Sequence, residues 1–269
     1  MSEQMIKKVL ITGANGFIGG SLMRYYQNQG QDVVGVDLVG NGNDIIEGDI
    51  AQPDSISNVL QECDVIIHTA ALVSNAMQDS DMWRVNVLAT RNLIEAAKEH
   101  KVRRFVQISS VVAYGNSAEG ELDESQPVHA DGGSYVLTKL ASEHVVLGAQ
   151  ANDDIEVVIL RPGDAYGPGS RPWIIAPLEA IAKNQFMLPA KGEGFFRPIY
   201  IDDLVRGIVM ATSHPDAAGE IFNISCEGYM ATKDYFAPHY QWLGKKGPML
   251  VSTKFALRVS GIASKVADL

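Results

Sequence analysis

Short apolar runs alternate along the chain with longer stretches whose apolar positions recur at helical spacing. The runs at 8–12, 33–37, 45–47, 65–69, 105–109 and 157–160 are rich in Val, Ile and Leu and end at turn residues, which predicts strands. Segments 17–29, 55–61, 82–100, 135–150 and 173–183 carry the helical pattern. Strands separated by helices pair in parallel through right-handed crossovers, with helices on both faces of the sheet. The expected fold class is therefore α/β, a Rossmann-like doubly wound parallel sheet with a small C-terminal lobe.

The pattern changes near residue 163. Prolines at 162, 168, 172, 177, 189 and 198 interrupt the alternation. Beyond them, 202–213 reads as a helix, 220–224 as a strand and 253–266 as an amphipathic helix. The expected division is a parallel-sheet domain at 1–163 and a smaller lobe at 164–269, interleaved with the last sheet elements. The chain ends inside a helical pattern without a C-cap, so the lobe is expected to be minimal or truncated.

Composition narrows the partners. A net charge of −10 over 269 residues argues against nucleic acid or an anionic membrane, which reward clustered Lys and Arg. An anionic small ligand in a local pocket stays compatible with it. Cys63 and Cys226 are the only cysteines and lack metal-ligand spacing, so reduced thiols and no metal site are expected. No leader-like start and no apolar span of about 18 residues is present, so the expected location is the cytoplasm.

The most informative segment is 9–19, VLITGANGFIG, a strand that runs through a glycine-rich turn into a helix. A pyrophosphate needs close backbone approach, free N–H donors and the positive end of a helix dipole. Gly13, Gly16 and Gly19 remove the Cβ atoms that would block that approach. Asn15, Phe17 and Ile18 complete the turn and the first helical residues. Asp37 ends the second strand, where a carboxylate accepts hydrogen bonds from ribose hydroxyls and repels a 2′-phosphate. No Lys or Arg follows at 38–43, so NAD is favoured over NADP. A solvated strand end is the plainer alternative for Asp37. Asp49 and Ile50 are placed to flank an adenine. Thr69, Ala70 and Ala71 are small enough to let a cofactor lie close above the sheet. His68, beside them, reads more readily as structural than catalytic.

The candidate chemistry lies further on. Ser109 and Ser110 end the fifth strand, and Tyr135 and Lys139 stand at i and i+4 of the following helix, on one face. A free tyrosine titrates near about 10, and a neighbouring ammonium lowers that value. Tyr135 is thus a candidate proton carrier, Ser110 a holder of the substrate oxygen, and Lys139 a partner for both tyrosine and ribose. Tyr229 and Lys233 repeat the spacing without following such a strand end.

These motifs together resemble the extended short-chain dehydrogenase/reductase family, also called the NAD-dependent epimerase/dehydratase family, in its 3β-hydroxysteroid dehydrogenase-like branch. The resemblance spans nearly the whole chain: TGANGFIG, Asp37, GDI at 48–50, HTAA at 68–71, Asn86 in VNVLATRNLIEAA, ISSVVAYG at 108–115, YVLTK at 135–139, RPGDAYGPG at 161–169 and YIDDLVRGI at 200–208. It implies Ser110 rather than Ser109, with Tyr135 and Lys139, as the catalytic set. It also implies Asn86 as a brace for the active-site helix beside the cofactor, Pro162 and Gly163 near the nicotinamide, and a homodimer through helices 82–100 and 135–150.

Departures from the family pattern narrow the reaction. Val111 and Val112 stand where dehydratases carry an acidic pair, so dehydration is not expected. Asp164 stands where nucleotide-sugar enzymes often place Asn beside substrate phosphates, a costly position for a carboxylate unless Arg171 or Arg197 supplies a cation. The expected activity is hydride transfer between NAD and a secondary alcohol or ketone. The alternatives are a nucleotide-sugar epimerase that retains its NAD and a non-catalytic NAD-binding module. Trp173, Phe195, Phe196, Met187 and Met210 are candidates for an apolar substrate pocket or, singly, for lobe core. Asp202 and Asp203 read as a helix cap.

Overall fold

A computed structural model describes residues 6–73, 78–115, 120–151 and 155–259. The chain divides into two compact units, Met1–Gly163 with Ile201–Ile224, and Asp164–Tyr200 with Ser225–Leu269. The segment 201–224, assigned by sequence to the lobe, therefore belongs with the nucleotide-binding part.

The first unit is a seven-stranded parallel sheet. Its strands are β1 (Val9–Thr12), β2 (Val33–Asp37), β3 (Ile45–Glu47), β4 (Val65–His68), β5 (Arg104–Ile108), β6 (Glu156–Pro162) and β7 (Ile221–Ile224). The spatial order is β3-β2-β1-β4-β5-β6-β7, with the first crossover reversal between β1 and β4. In register, Thr12 sits beside Val36 and His68, and His68 beside Gln107. The carboxyl ends that carry the candidate residues thus lie along one edge of the sheet, where open α/β sheets bind ligands.

Every residue of β1, β4 and β5 is buried, as expected for strands covered on both faces. The helices of this unit are α1 (Phe17–Asn28), α2 (Ser57–Leu60), α3 (Asp79–Trp83), α4 (Thr90–Glu99), α5 (Ser134–Gln150) and α6 (Ile201–Ser213). Leu93, Ile94 and Ala97 of α4 and Val146 and Ala149 of α5 pack with Leu10, Ile66, Phe105 and Val157 in one core. Burying a residue such as Leu93 completely contributes about 1.5–3 kcal/mol. Helices α1 and α6 pack on each other, and the Tyr26 hydroxyl meets Thr212 at 3.3 Å.

Two expected helices are less regular than their periodicity suggests. The 82–100 pattern is α3 and α4 joined by a π-helical turn, Arg84–Ala89. The 55–61 pattern is a 3-10 turn, Pro53–Ile56, followed by the single turn of α2. The pattern at 253–266 is helical over 253–259; its remainder lies outside the described residues.

The second unit has a core of Leu188, Phe196, Tyr235 and Phe236, with Tyr166, Trp173 and Phe186 packed against it. Trp173 and Phe196 are therefore core groups. Phe195 is instead 73% exposed and stacks edge-on against Tyr229. Met210, expected in the lobe, lies on α6 of the first unit and is exposed. The helix Thr232–Trp242, with Pro238 inside it, lies outside the helical segments expected from sequence. Among the described residues no helix is long and apolar enough to cross a membrane.

Candidate active site

The turn between β1 and α1 is shaped by what its glycines lack. Gly13 has φ +68°, and a Cβ there would lie 2.8 Å from the Ala70 backbone. A Cβ on Gly19 would lie 2.2 Å from the Gly13 carbonyl oxygen. No ordinary side chain fits either position. Gly16 is the N-cap of α1, in extended conformation, and no side chain caps the turn. The first N–H groups of the helix, at Phe17, Ile18 and Gly19, are left to an outside acceptor. The cradle fits a pyrophosphate by the absence of Cβ atoms and the presence of donors.

Asp37 closes the same loop from β2. One carboxylate oxygen accepts the Asn15 N–H at 2.9 Å and the other the Leu38 N–H at 2.8 Å. Asn15 in turn donates its side-chain amide to the Val39 carbonyl at 2.7 Å. Asp49 accepts the Ala51 N–H at 2.9 Å and so shapes its own turn. Ile50 is a core residue, only 7% exposed, which leaves little of its side chain for an adenine face.

Beneath the cradle runs a buried hydrogen-bond chain whose polarity is determined. Thr90 donates to the Asn86 carbonyl at 2.9 Å and therefore accepts from His68 Nε2 at 2.9 Å. The other ring nitrogen then accepts from the Thr12 hydroxyl at 2.7 Å, and Thr12 Oγ1 accepts the Ala70 N–H at 3.3 Å. Thr69 donates to the Thr12 carbonyl at 2.7 Å. Burial, assisted by the Lys139 charge, pushes the imidazole down to about 3. A neutral His68 thus fastens β1 to β4 and to α4, a structural role. Ala70 and Ala71 follow it, half-buried.

Asn86, on the π-helical turn, is 3% exposed. Its Oδ1 accepts the Leu72 N–H at 2.8 Å, and its Nδ2 donates to the Leu72 carbonyl at 3.0 Å and to Thr138 Oγ1 at 3.1 Å. These bonds tie the loop after β4 to α5 and leave its amide little capacity for a cofactor.

The β5 and α5 ends bring Ser110, Tyr135 and Lys139 together. Ser110 caps the 3-10 turn Val111–Tyr114, accepting the Val112 N–H at 3.3 Å. The Tyr135 phenol faces Ser110, whose hydroxyl favours the phenolate. Lys139 Nζ lies 6.0 Å from the Tyr135 ring centre and donates to the Ile108 carbonyl at 3.0 Å. Burial raises the tyrosine above its ordinary value, with Ser110 pulling against it. Burial also brings Lys139 down to about 8, against the pull of Glu143. In this arrangement Tyr135 is thus raised rather than lowered, because desolvation outweighs the help of Ser110. Pro162 is buried, and the Gly163 N–H donates to Ile224 at 2.9 Å, which fixes the end of β6.

Sequence reasoning missed the group below these residues. Glu143, 2% exposed, accepts from Ser109 Oγ at 2.5 Å and from Arg161 at 3.0 and 2.7 Å. Arg161 stacks over the Tyr114 ring at 4.8 Å. The available signal was the spacing of Tyr135, Lys139 and Glu143, one turn apart on one face.

In the second unit Asp164 accepts the Arg197 N–H at 3.1 Å, and burial pushes its carboxyl up to about 6. Neither expected cation pairs with it. The Arg197 side chain turns to Tyr229 and the Gly228 carbonyl, and Arg171 lies 3.6 Å from Glu179.

Comparison with known proteins agrees with this geometry. Residues 9–225 match the sequence profile of the NAD dependent epimerase/dehydratase family. The chain is 29% identical to dTDP-glucose 4,6-dehydratase of Streptomyces niveus over 243 residues, 81% of this chain and 72% of that one. It is 27% identical to the 3β-hydroxysteroid dehydrogenase/Δ5→4-isomerase of Mycobacterium tuberculosis over 278 residues, covering 95% and 73%. The solved UDP-glucuronic acid 4-epimerase of Bacillus cereus, in complex with UDP-glucuronic acid and NAD, aligns with a TM-score of 0.80 at 28% identity, covering 91% and 87%. Fold, glycine cradle and profile agree: the chain is a member of the NAD-dependent epimerase/dehydratase family of extended short-chain dehydrogenases/reductases.

Proposed function

We propose that this chain oxidises a secondary alcohol, or reduces the corresponding ketone, on a substrate without a pyrophosphate. The single observation that carries the reading is the meeting of Ser110, Tyr135 and Lys139 at the β5 and α5 ends. Gly13, Gly16, Gly19 and the first turn of α1 would hold the pyrophosphate of NAD, and Asp37 the adenosine ribose. Bound NAD supplies the hydride acceptor or donor. Ser110 orients the substrate oxygen. Tyr135 takes the hydroxyl proton during oxidation and returns it during reduction. Lys139, charged, favours the phenolate that forms.

Asp164 supports the uncharged substrate. Its carboxyl is raised to about 6 by burial, so at neutral pH it carries negative charge, and no arginine side chain is paired with it among the described residues. A pyrophosphate beside it would meet repulsion. The likeness to the steroid dehydrogenase, over 95% of this chain, agrees. The epimerase of Bacillus cereus, solved with a nucleotide sugar, favours a second reading in which NAD is retained and no net NADH appears. Dehydration is the least supported, since Val111 and Val112 offer no carboxylate. We further propose a cytoplasmic homodimer through segments 82–100 and 135–150. Free Cys63 and Cys226 support the compartment, and exposed Trp83 and Leu88 support the surface. Sedimentation of the purified chain measures the second point.

The test is NADH absorbance with NAD plus hydroxysteroids or small secondary alcohols, and separately with UDP- and dTDP-sugars. NADH formation with the uncharged alcohols supports the reading. Sugar inversion without NADH replaces it with the epimerase. Tyr135→Phe should lower turnover about 10²–10⁴-fold and leave NAD binding intact. Unchanged turnover overturns the role of Tyr135.

A further inference from the structure

Tyr135, Lys139 and Glu143 stand four residues apart on α5 and share one helical face. The proposed proton transfer uses the first two and leaves the third unexplained. A carboxylate buried as deeply as Glu143 stays ionised only when its oxygens are hydrogen-bonded and a counter-charge is near. Glu143 has both, from two different strands. Ser109, at the end of β5 and next to Ser110, donates to it. So does Arg161 of β6, through Nε and Nη2. Arg161 also lies over Tyr114, on the turn that Ser110 caps. One carboxylate therefore joins the strand end that bears Ser110, the helix that bears Tyr135 and Lys139, and the strand that leads to Gly163.

We infer that Glu143 is a positioning residue, whose carboxylate fastens the Ser109–Ser110 strand end to α5 and keeps the Lys139 amine protonated. The inference rests on reading Ser110, Tyr135 and Lys139 as the reacting groups.

The groups around Lys139 make the charge assignment specific. The Ile108 carbonyl of β5 accepts from an ammonium or a neutral amine alike. Tyr135 faces it from the same helix as an uncharged phenol. His68 faces it from β4 as an imidazole kept neutral by burial and by the Lys139 charge. Arg161 of β6 is a cation already bound to Glu143. That leaves the Glu143 carboxylate as the anion that opposes the desolvation of Lys139. Without it, burial would carry the amine toward its neutral form at physiological pH. A neutral Lys139 would give a tyrosinate no help.

The test needs no substrate. The Nζ resonance of Lys139 is followed against pH by nitrogen NMR of the full chain labelled at lysine, and is identified by its loss in Lys139→Arg. In the unaltered protein it should titrate near about 8 or above; a Lys139 amine already neutral at pH 7 overturns the inference. Glu143→Gln keeps the shape and an acceptor for Ser109 but removes the charge. The midpoint should fall by about one pH unit or more, and an unchanged midpoint overturns the inference. If Glu143→Gln does not fold, the first measurement still decides. Because these readouts are titrations, they fail separately from the turnover test of Tyr135→Phe.

Discussion

At the β1–α1 turn, the surface proposed for the cofactor is made by leaving side chains out; at the β5–α5 end it is made by burying them. The first relies on backbone donors and on two glycines whose added Cβ atoms would overlap the main chain. The second relies on Ser109, Glu143, Arg161 and Lys139, all nearly inaccessible and joined to one another or to a strand carbonyl. A backbone cradle tolerates no added atom, whereas a buried charge network tolerates no removed partner. The two ends should therefore fail under opposite kinds of substitution.

The largest effect expected is at the network. Arg161→Met leaves the Glu143 carboxylate buried without its cation and should cost about 3–5 kcal/mol. The double variant Glu143→Gln, Arg161→Met should recover much of that loss in urea unfolding. A double variant as unstable as the single one would show that the pair itself, rather than an uncompensated charge, supplies the stability.

The next effect is at the cradle. Gly19→Ala forces a methyl group against the Gly13 carbonyl and should cost about 1–3 kcal/mol. It should also weaken NAD binding at least about tenfold, the equivalent of roughly 1.4 kcal/mol. Thermal unfolding with and without NAD separates the two losses.

Below these comes a pH effect at the strand junction. The folded value of His68, about 3, lies under its ordinary 6.5. Between those values the unfolded chain binds the extra proton, so stability rises with pH and is lost as pH falls from about 6.5. This group supplies a slope of up to about 1.4 kcal/mol per pH unit. His68→Gln should flatten that part of the stability profile; a profile that keeps its slope assigns it elsewhere. The smallest effect is a control for the cradle. Gly148, on α5, has no heavy atom within 4 Å of an added Cβ. Gly148→Ala should stabilise by about 0.5–1 kcal/mol.

The same contrast explains what could be read from the amino acids alone. The cradle is local: a strand, three spaced glycines and a helix are contiguous in sequence, so their pattern is visible without the fold. The strands were legible for the same reason, since burial on both faces demands continuous apolar residues. The Glu143 network joins residues from three separate elements. Glu143 taken singly looks like any helix carboxylate, and Arg161 reads as part of a Pro-Gly turn. How segment 201–224 interleaves with the sheet was not legible, because β7 pairs with β6 across about 60 intervening residues, a contact no local pattern encodes. Ile50 was placed on the adenine face by its position beside Asp49 at the end of a strand, and local sequence does not show how deeply its side chain packs in the core.

The π-helical turn at Arg84–Ala89 has a consequence of its own. Each residue of an ordinary α-helix advances by about 100°, and a π turn takes up one extra residue within the same ladder. That residue acts as a phase shift between two faces of one continuous rod. Within the turn Asn86 faces Leu72 and Thr138; downstream of it, Leu93, Ile94 and Ala97 face the sheet. Were all of 84–89 wound as an ordinary α-helix, these two sets of contacts would fall out of step by about 100°. A single deletion inside this stretch should therefore be absorbed as an ordinary α-turn, whereas one elsewhere in 79–99 would rotate one set of contacts away from the other.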